Sequence, residues 1–406
     1  MRRLVLGMSG LVCVTTALAG PMSTAAEPSN ASRVDQAPSA DGSAARANAR
    51  AVPSLKVTKI VGGLSLPWDA KYTREGRLLI TERATKRLYT WRLGKLRRVT
   101  FPASSVYAAG ETGLMSLLVE PGYNASSNRR FYTCQGSPTA GGGHDVRVIA
   151  WRLNTAATKA TRTQTVLAGL PSVTGRHGGC RMLIARSGAM MVGTGDAATG
   201  TNPQDLTSLG GKTLRLNRKT GAPWPANPFI SSGNARTRYV FTYGHRNVQG
   251  LALRADGTVW SAEHGSSRDD EINQLGAGLN YGWNPVPGYD ESTPMTDHDL
   301  PGTQQSAKWS SGSPTVATSG AVWVRGKKWG AYQNTLAVAS LKGERVQFMS
   351  FNSAGTFTGM RTPAALRKYG RLRSITRLPN DNLMVTTSNS TGGKRVDSVL
   401  RVEPVG

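Results

Sequence analysis

One histidine of this sequence is placed where it could act as a base. His177 lies in the segment 175–179, Gly-Arg-His-Gly-Gly, whose glycines would leave the imidazole open to a ligand. An imidazole titrates near neutral pH and can take a proton from a substrate. Asp196, which follows Gly195 at the end of the second predicted strand of the same unit, could orient that ring and stabilise its protonated form. The pair predicts general-base chemistry; the alternative is a solvated loop histidine.

Cationic side chains recur in comparable glycine-containing segments. Arg246 and Asn247 place a guanidinium beside an amide in the polar stretch 243–289, and Lys342 precedes Gly343. Arg371 and Arg373 alternate, so a strand would put both on one face. Four cations reaching one cavity would suit a ligand with several carboxylates or phosphates. In a chain this basic, four ordinary surface charges are the alternative.

Carboxylates are clustered at Asp269, Asp270 and Glu271, and again at Asp290 and Glu291. Carboxylate and carbonyl oxygens are the ligands that Ca²⁺ prefers. The spacing does not match an EF-hand loop, so by itself it gives little support to a metal site.

These segments are embedded in a chain that is predicted to be all-β. Beyond Leu55, short β-branched and aromatic runs alternate with Gly, Asn and Asp turns, and almost no stretch keeps a helical period. A unit of apolar run, turn and second apolar run recurs six times, and each copy has roughly the size of a four-stranded blade. The opening runs of the six copies begin at Pro67, Leu114, Met182, Leu251, Ala321 and Ile375.

The repeats predict a six-bladed β-propeller. A stack of sandwich domains would give similar strand spacing, but it would not require glycine-flanked polar motifs at the same place in each unit. In a propeller those positions face one central cavity, where residues distant in sequence can meet.

The N-terminal residues have a different composition. Residues 1–26 combine Arg2 and Arg3, an apolar run to Leu18 and small residues at 23–26, as in a signal peptide. Residues 27–53 are rich in Ala, Ser, Asn and Pro and are predicted to be a flexible segment, with the propeller domain at 54–406. The apolar run is too short to span a bilayer, and no later run reaches about 20 apolar residues. We therefore expect a secreted or cell-envelope protein without a transmembrane segment.

Charge and cysteine content limit the partners. The chain has 50 Lys and Arg against 24 Asp and Glu, a formal net charge of +26. Such a charge attracts polyanions, but the cations are spread along the chain without a basic helix or an aromatic RNA-binding signature, which disfavours nucleic acid. Electrostatic association with an acidic cell envelope is the expected consequence. Outside the signal region only Cys134 and Cys180 remain, and spacing leaves open whether they form a disulfide.

Several motifs, in order, resemble the soluble quinoprotein glucose/sorbosone dehydrogenases, which include bacterial aldose sugar dehydrogenases. The resemblance covers about Val57 to Val402. Its motifs are Leu66-Pro67-Trp68, Thr81-Glu82-Arg83, Gly113-Leu114, Gly210-Gly211-Lys212, Tyr243-Gly244-His245-Arg246-Asn247, Glu263-His264-Gly265, Asp270-Glu271-Ile272-Asn273 and Asn280-Tyr281-Gly282-Trp283.

The family resemblance implies a six-bladed propeller that carries pyrroloquinoline quinone (PQQ) above the central channel. It implies that His177 is the base that removes the proton of the sugar anomeric hydroxyl and that Asp196 is its partner. Arg246 and Asn247 would lie beside the quinone oxygens. The cofactor carboxylates would be held by Lys342, Arg371 and Arg373.

The resemblance also implies two calcium sites. The cofactor calcium would be bound by the backbone carbonyls of Gly265 and Ser266. A structural calcium would be bound by Glu271, Tyr281, the Pro287 carbonyl and Glu291. This chain departs from the family at Glu111, where a Gln would be expected beside cofactor and sugar, so a negative charge is added near an anionic cofactor.

The implied function is PQQ- and Ca²⁺-dependent oxidation of an aldose at its anomeric carbon to a lactone, with an unidentified electron acceptor. Two other classes stay open. One is a Ca²⁺-dependent propeller lactonase or hydrolase, which would need a central metal held mainly by carboxylates. The other is a non-catalytic propeller that binds glycan or PQQ, with which Glu111 is compatible.

Overall fold

The computed structural model of the chain describes residues 50–405, and the predicted signal peptide lies outside them. β1 (Ser54–Leu64) comes first and is followed by five sheets in chain order. The first two sheets are β2 (Pro67–Tyr72), β3 (Leu78–Glu82), β4 (Arg87–Arg92) and β5 (Lys95–Val99), then β6 (Leu114–Val119), β7 (Arg130–Pro138), β8 (His144–Leu153) and β9 (Ala160–Leu170).

The next three sheets follow the same pattern. They are β10 (Arg181–Ile184), β11 (Met190–Gly193), β12 (Lys212–Leu216) and β13 (Val240–Tyr243), then β14 (Val248–Leu253), β15 (Val259–Glu263), β16 (Glu271–Leu275) and β17 (Trp309–Ser310), then β18 (Thr318–Trp323), β19 (Leu336–Ser340), β20 (Arg345–Phe351) and β21 (Phe357–Arg361). The last strands are β22 (Leu372–Arg377), β23 (Leu383–Thr387) and β24 (Asp397–Val405). Short 3₁₀ turns occur at Ala103–Ser105, Thr237–Tyr239, Lys327–Tyr332 and Ala364–Leu366.

The six antiparallel sheets form a six-bladed β-propeller, so the predicted fold class is confirmed. The inner strands β2, β6, β10, β14, β18 and β22 contact one another in that order, and β22 returns to β2. Each inner strand begins within three residues of a predicted repeat start. The recurring polar motifs therefore lie around one central channel.

Strand composition explains the order of strands within a blade. The middle strands β3 and β19 are buried along their whole length because neighbouring blades cover both faces. The outer strand β5 leaves Lys95, Arg97 and Arg98 exposed and buries Val99, as expected for a strand at the solvent edge of a blade. Three inner hairpins turn at Gly76, Gly188 and Gly257, whose φ angles of 80°, 85° and 98° favour glycine.

The sixth blade contains both ends of the described chain. Its strand order is β22-β23-β24-β1, with β1 outermost. The β1–β24 register runs from Ser54 opposite Val405 to Leu64 opposite Asp397. Of the segment predicted to be flexible, residues 50–53 are described, and the Ala51 carbonyl accepts a hydrogen bond from Ala331 N–H at 2.8 Å. Pairing of the two ends closes the ring.

The hydrophobic core consists of clusters between adjacent blades. Trp260, Trp323 and Phe351 pack with ring centroids 4.7 to 6.2 Å apart and join the fourth blade to the fifth. Within residues 50–405, no helix has the length and apolar character that a bilayer span requires.

Candidate functional site

A cavity of about 400 Å³ opens where the inner strands begin. Its walls include residues at or just before the starts of all six inner strands: Trp68, Met115, Gly179, Gln249, Ala317 and Arg373. The predicted site residues Glu111 and Arg371 also line it. We refer to this space as the upper cavity.

His177 and Asp196 are joined, as the sequence predicted. His177 lies four residues before the start of β10 and Asp196 lies three residues after the end of β11, so the hairpin brings the two residues together. The distance from His177 Nδ1 to Asp196 Oδ1 is 2.8 Å, and both side chains are buried. Gly195 makes this approach possible, because a Cβ at that position would lie 1.8 Å from the His177 carbonyl oxygen.

Asp196 also has partners that sequence reasoning did not find. Its Oδ2 accepts hydrogen bonds from Trp283 Nε1 and from the Tyr289 hydroxyl, both at 2.8 Å, and its Oδ1 accepts one from Ala198 N–H. Both oxygens of the Asp196 side chain therefore have hydrogen-bond donors that fix its orientation. Since Asp196 accepts from Nδ1, a neutral His177 ring carries its proton there and keeps the Nε2 lone pair for an incoming proton.

Tyr289 reinforces this arrangement. Its hydroxyl lies 3.0 Å from His177 Nδ1 as well as 2.8 Å from Asp196. Burial, followed by the negative charge of Asp196, raises the pKa of Tyr289, so its phenol remains a donor. Tyr289 closes the stretch 243–289 that the sequence singled out, but no spacing rule connected it to Asp196.

Arg246 is adjacent to the same pair. Its carbonyl oxygen accepts a hydrogen bond from Asp196 N–H at 2.8 Å, which fixes the two backbones together. The buried guanidinium forms an ion pair with Glu291 and lies 5.7 Å from the centre of the Trp283 ring. Its Nε is buried without a hydrogen-bond partner among the described residues. Arg246 therefore has a donor available for a ligand.

Asn247 is linked to Arg373 through the side chain of Gln249. The Asn247 side-chain oxygen accepts from Gln249 Nε2 at 3.0 Å, and the Gln249 oxygen accepts from Arg373 Nη1 at 2.9 Å. Burial lowers the pKa of His264, and the charges of Arg373, Arg246 and His177 add to that effect. These groups consequently lie around one imidazole, at the same end of the channel.

Three arginines line the upper cavity, one more than predicted. Arg83 is the addition, beside Arg371 and Arg373. Burial and then the charges of Arg83 and Arg181 lower the pKa of Arg373 to about 9. Since a guanidinium does not give up its proton in practice, the shift indicates crowded positive charge that an anionic ligand would relieve.

Lys342 differs from the arginines. Its neighbour Leu341 lines the upper cavity, whereas the exposed Lys342 side chain is not among the lining residues. Its Nζ lies 3.5 Å from Thr315 Oγ1. Lys342 would have to turn inward to reach a ligand there.

Glu111 contacts the loop that carries His177. Its Oε2 accepts a hydrogen bond from His177 N–H at 2.7 Å, and its own N–H donates to the Gly175 carbonyl at 2.8 Å. His177 has a φ angle of 49°, in the left-handed region that a non-glycine residue rarely adopts. Glu111 thus helps to hold a strained backbone conformation.

Oxygen atoms for a cofactor-bound cation are present at Gly265 and Ser266. Gly265 N–H donates to Asp270 Oδ1 at 2.9 Å, which fixes the turn. Two buried polar atoms in this turn, His264 Nε2 and Ser266 Oγ, have no hydrogen-bond partner among the described residues. Such atoms indicate a place where a bound group would complete the polar contacts. The residues fit a ligand with several carboxylates and an accompanying cation.

The four residues predicted for a structural calcium have separate partners. Glu291 accepts from Arg246 and Arg176, and the Tyr281 hydroxyl donates to the Gln274 carbonyl at 2.6 Å. Glu271 accepts from Asn273 at 3.1 Å. Pro287 follows a cis peptide bond in the loop that carries Tyr289. Glu291 would have to leave its arginines to join Glu271 on one ion.

Glu271 is buried beside a second carboxylate, but within residues 50–405 no group of three or more His, Cys, Asp or Glu side chains is placed to hold a metal ion. Burial, followed by the charge of Glu263, raises the pKa of Glu271 to about 8. The neighbouring Asn273 Oδ1 is buried without a hydrogen-bond partner among the described residues. Crowded carboxylates and an unused amide oxygen suit a hard cation.

Cys134 and Cys180 form a disulfide, which resolves the question that spacing left open. Cys134 lies on β7, and Cys180 is three residues beyond His177, immediately before β10. Both are fully buried. The disulfide fixes the end of the loop that carries His177 to the neighbouring blade.

The sequence comparisons agree with this geometry. Residues 64–398 match the family model described as glucose / sorbosone dehydrogenase. The aldose sugar dehydrogenase YliI of Escherichia coli K12 is 30% identical over 362 residues, which cover 86% of this chain and 93% of the relative.

Solved structures give the same result. A Thermus thermophilus protein described as a putative oxidoreductase (glucose dehydrogenase) is 32% identical to this chain with a TM-score of 0.73. The alignment covers 86% of this chain and 100% of the Thermus chain. The PQQ-bound aldose sugar dehydrogenase of Streptomyces coelicolor is 26% identical to this chain with a TM-score of 0.71. The alignment covers 86% of this chain and 98% of the Streptomyces chain. The fold, the matched family model and the arrangement around His177 together show that this chain belongs to the glucose/sorbosone dehydrogenase family.

Proposed function

We propose that this protein is a PQQ-dependent aldose dehydrogenase that oxidises the anomeric carbon of a sugar to a lactone. The observation that carries the proposal is the His177–Asp196 pair beside a cavity walled by arginines. Family membership and the names of the relatives support the same reaction class. In this proposal His177 is the base, and the arginines of the upper cavity bind the anionic cofactor at the same end of the channel.

The roles of the side chains follow from their surroundings. His177 Nε2 would take the proton of the anomeric hydroxyl, and the positive charge that develops on the ring would be stabilised by Asp196. Arg246 and Asn247 would orient the cofactor beside the substrate. PQQ, when bound, supplies the acceptor for the hydride that leaves the anomeric carbon.

The cofactor carboxylates would be bound by Arg371 and Arg373 together with Arg83, and by Lys342 after it turns inward. A guanidinium can donate two parallel hydrogen bonds to a carboxylate, which fixes orientation as well as charge. The crowding of positive charge around Arg373 would be relieved at the same time.

Calcium is the second proposed cofactor. The carbonyl oxygens of Gly265 and Ser266 would bind it next to PQQ, where the unpaired Ser266 hydroxyl lies. A structural ion would be bound at Glu271, with Tyr281, Pro287 and Glu291 as the further predicted ligands. For that site, Asn273 Oδ1 is an additional oxygen donor.

Export remains part of the proposal. The disulfide between Cys134 and Cys180 supports an oxidising compartment outside the cytoplasm. The net charge of +26 supports contact with an acidic envelope.

Reconstitution tests the proposal. Purified chain, stripped with EDTA, is supplied with PQQ and Ca²⁺, and dye reduction is followed with a panel of aldoses; the His177→Ala variant is the matched control. We expect activity with at least one aldose, dependence on PQQ, and loss in the variant. Absence of both cofactor binding and dye reduction would contradict the proposal, and EDTA-sensitive lactone hydrolysis without PQQ would favour the lactonase class instead.

A further inference from the structure

A second cavity lies at the opposite end of the central channel. It has a volume of about 310 Å³, and its walls include residues near the far ends of the inner strands, such as Leu118, Leu183, Leu253 and Trp323. The upper cavity, in contrast, lies at the strand starts. We refer to this second space as the lower cavity; nothing in the proposed reaction uses it.

The charged residues that line the lower cavity are all cationic. Lys71, Arg181, Arg325 and Arg377 come from four different blades, and the remaining lining residues are apolar or uncharged. Two carboxylates nearby reduce this charge without entering the wall. They are Asp69, which pairs with Lys71 and Arg181, and Asp381, which pairs with Arg377 at 2.9 Å.

The inner end of the lower cavity contains more buried positive charge than its partner compensates. Asp69 Oδ2 lies 3.0 Å from Arg181 Nη1, and Asp69 Oδ1 lies 3.3 Å from Lys71 Nζ. One carboxylate therefore serves two cations. Burial lowers the pKa of both Lys71 and Arg181, and Asp69 only partly opposes that effect. An additional negative charge would stabilise this group.

Arg181 also has an unused donor. It is 3% exposed, its Nε donates to the Gln249 carbonyl at 2.9 Å, and its guanidinium stacks 4.2 Å from the centre of the Trp68 ring. Its Nη2 is buried without a hydrogen-bond partner among the described residues. A buried guanidinium nitrogen left unpaired is unfavourable, and an oxyanion entering the channel would supply an acceptor.

The outer end of the lower cavity adds two more guanidinium groups. Within residues 50–405, Arg325 forms no ion pair. Burial and then the charge of Arg377 lower the pKa of Arg325, so the two arginines are close enough to repel each other. Cations that are placed together at both ends of a narrow space, with apolar walls between them, favour a ligand with more than one negative charge.

We propose that the lower cavity binds a compact multivalent oxyanion, a phosphate or a di- or tricarboxylate, between Lys71 and Arg181 at the inner end and Arg325 and Arg377 at the outer end. The lower cavity shares no lining residue with the upper cavity, although Arg181 stacks on Trp68 of the upper-cavity wall. The ligand of the lower cavity neutralises cations of four blades at once and so stabilises the closed ring.

Calorimetric titration of the full chain with inorganic phosphate and with citrate tests the proposal, at an ionic strength held constant with NaCl because screening weakens such contacts. We expect saturable binding and a rise in melting temperature. The Arg325→Ala/Arg377→Ala variant should bind at least about tenfold more weakly, as expected when charge-assisted hydrogen bonds are removed. Tighter binding of phosphate or of citrate would identify the ligand class.

Two control variants locate the site. Lys219→Ala removes an exposed charge elsewhere on the surface, and Arg371→Ala removes a charge from the upper cavity. Lys219→Ala should bind either anion with unchanged affinity, and Arg371→Ala should retain the binding that Arg325→Ala/Arg377→Ala loses. The proposal is overturned if no saturable binding occurs, or if Arg371→Ala loses binding while Arg325→Ala/Arg377→Ala retains it. Circular dichroism establishes that each variant is folded.

Discussion

His177 Nδ1 lies 2.8 Å from Asp196 Oδ1, and the two residues flank a single inner hairpin. Replacing Asp196 with Asn would offer an amide donor to Nδ1 and move the ring proton to Nε2, where the base must be free. We expect Asp196→Asn to lower kcat by roughly 10²- to 10⁴-fold. Dye reduction under saturating aldose measures it. Unchanged PQQ binding is the control, and a variant with near-normal kcat would refute the role of Asp196.

Tyr289 donates its hydroxyl hydrogen bond to Asp196, so Tyr289→Phe should weaken the positioning of His177 without removing the base. A hydrogen bond to a charged group contributes about 1.5 to 3 kcal/mol, which corresponds to a decrease in kcat of roughly tenfold to a hundredfold. KM for the sugar should change little. Phe229→Leu is a comparison variant, because Phe229 packs against the Tyr243 ring and not against Asp196, His177 or Tyr289. A change confined to KM would instead indicate that Tyr289 contacts the sugar.

Glu111 combines two effects that substitution can separate. Glu111→Gln keeps an oxygen acceptor for His177 N–H but removes a negative charge from a cavity with three arginines. PQQ, which carries three carboxylates, should therefore bind about fivefold more tightly, a gain of roughly 1 kcal/mol. Glu111→Ala also loses the acceptor and should lower kcat. Fluorescence titration measures the PQQ affinity of each variant. Equal kcat values for Glu111→Gln and Glu111→Ala would exclude a role of Glu111 in positioning His177.

The disulfide between Cys134 and Cys180 spans 46 residues, a loop for which chain entropy predicts a stabilisation of up to about 4 kcal/mol. Cys134→Ala/Cys180→Ala should therefore unfold at a lower urea concentration. Because Cys180 lies three residues from His177, activity should be lost at a lower urea concentration than the global fold. Dye reduction and circular dichroism, followed over the same urea series, check this order. If the variant, like the parent, lost activity and secondary structure at the same urea concentration, the disulfide would have no local effect on the His177 loop.

Lys212 is fully buried, and its Nζ donates to the carbonyl oxygens of Asn202, Pro203 and Gly210. Burial lowers its pKa to about 7, although Asp205 and Asp196 act in the opposite direction. A folded pKa below the unfolded value of 10.5 means that the unfolded chain binds more protons between these limits. Stability should therefore rise with pH between about 7 and 10 relative to Lys212→Met, by up to ~1.4 kcal/mol per pH unit.

Urea unfolding of both proteins across this pH range measures the difference. If the free energy of unfolding changed with pH in the same way in both proteins, the three carbonyl acceptors would be keeping Lys212 charged throughout this range. Equal unfolding slopes in urea show that the two proteins are compared between the same states.

Local patterns explain why much of the fold was predictable. Apolar runs separated by Gly-containing turns located the six inner strands, because a blade edge next to the channel is apolar along a short, regular length. His177 and Asp196 were also accessible to sequence reasoning, since one hairpin brings them together. The inner strands and the His177–Asp196 pair are formed by residues close together in the chain, so the local residue types were enough to predict them.

The remaining site depends on ring closure and could not be predicted from spacing. Arg83 and Gln249 line the upper cavity from different blades. Both lie in or beside motifs that carry the family resemblance, but their spacing along the chain gave neither a role in the site. Tyr289 reaches Asp196 from a long loop without a periodic pattern. The Glu291 contact with Arg246 likewise joins a loop to a strand start, and the sequence alone suggested only a carboxylate available for calcium.

The pairing of β1 with β24 also has a consequence for biosynthesis. A ribosome that has completed five blades has made β1 but not its partner, so β1 must wait unpaired until the last strand emerges. Arg373 is made long after His177, because it lies in the sixth blade. The complete pocket therefore assembles only after the sixth blade has been made, and quinone binding should begin only after β1 has paired with β24.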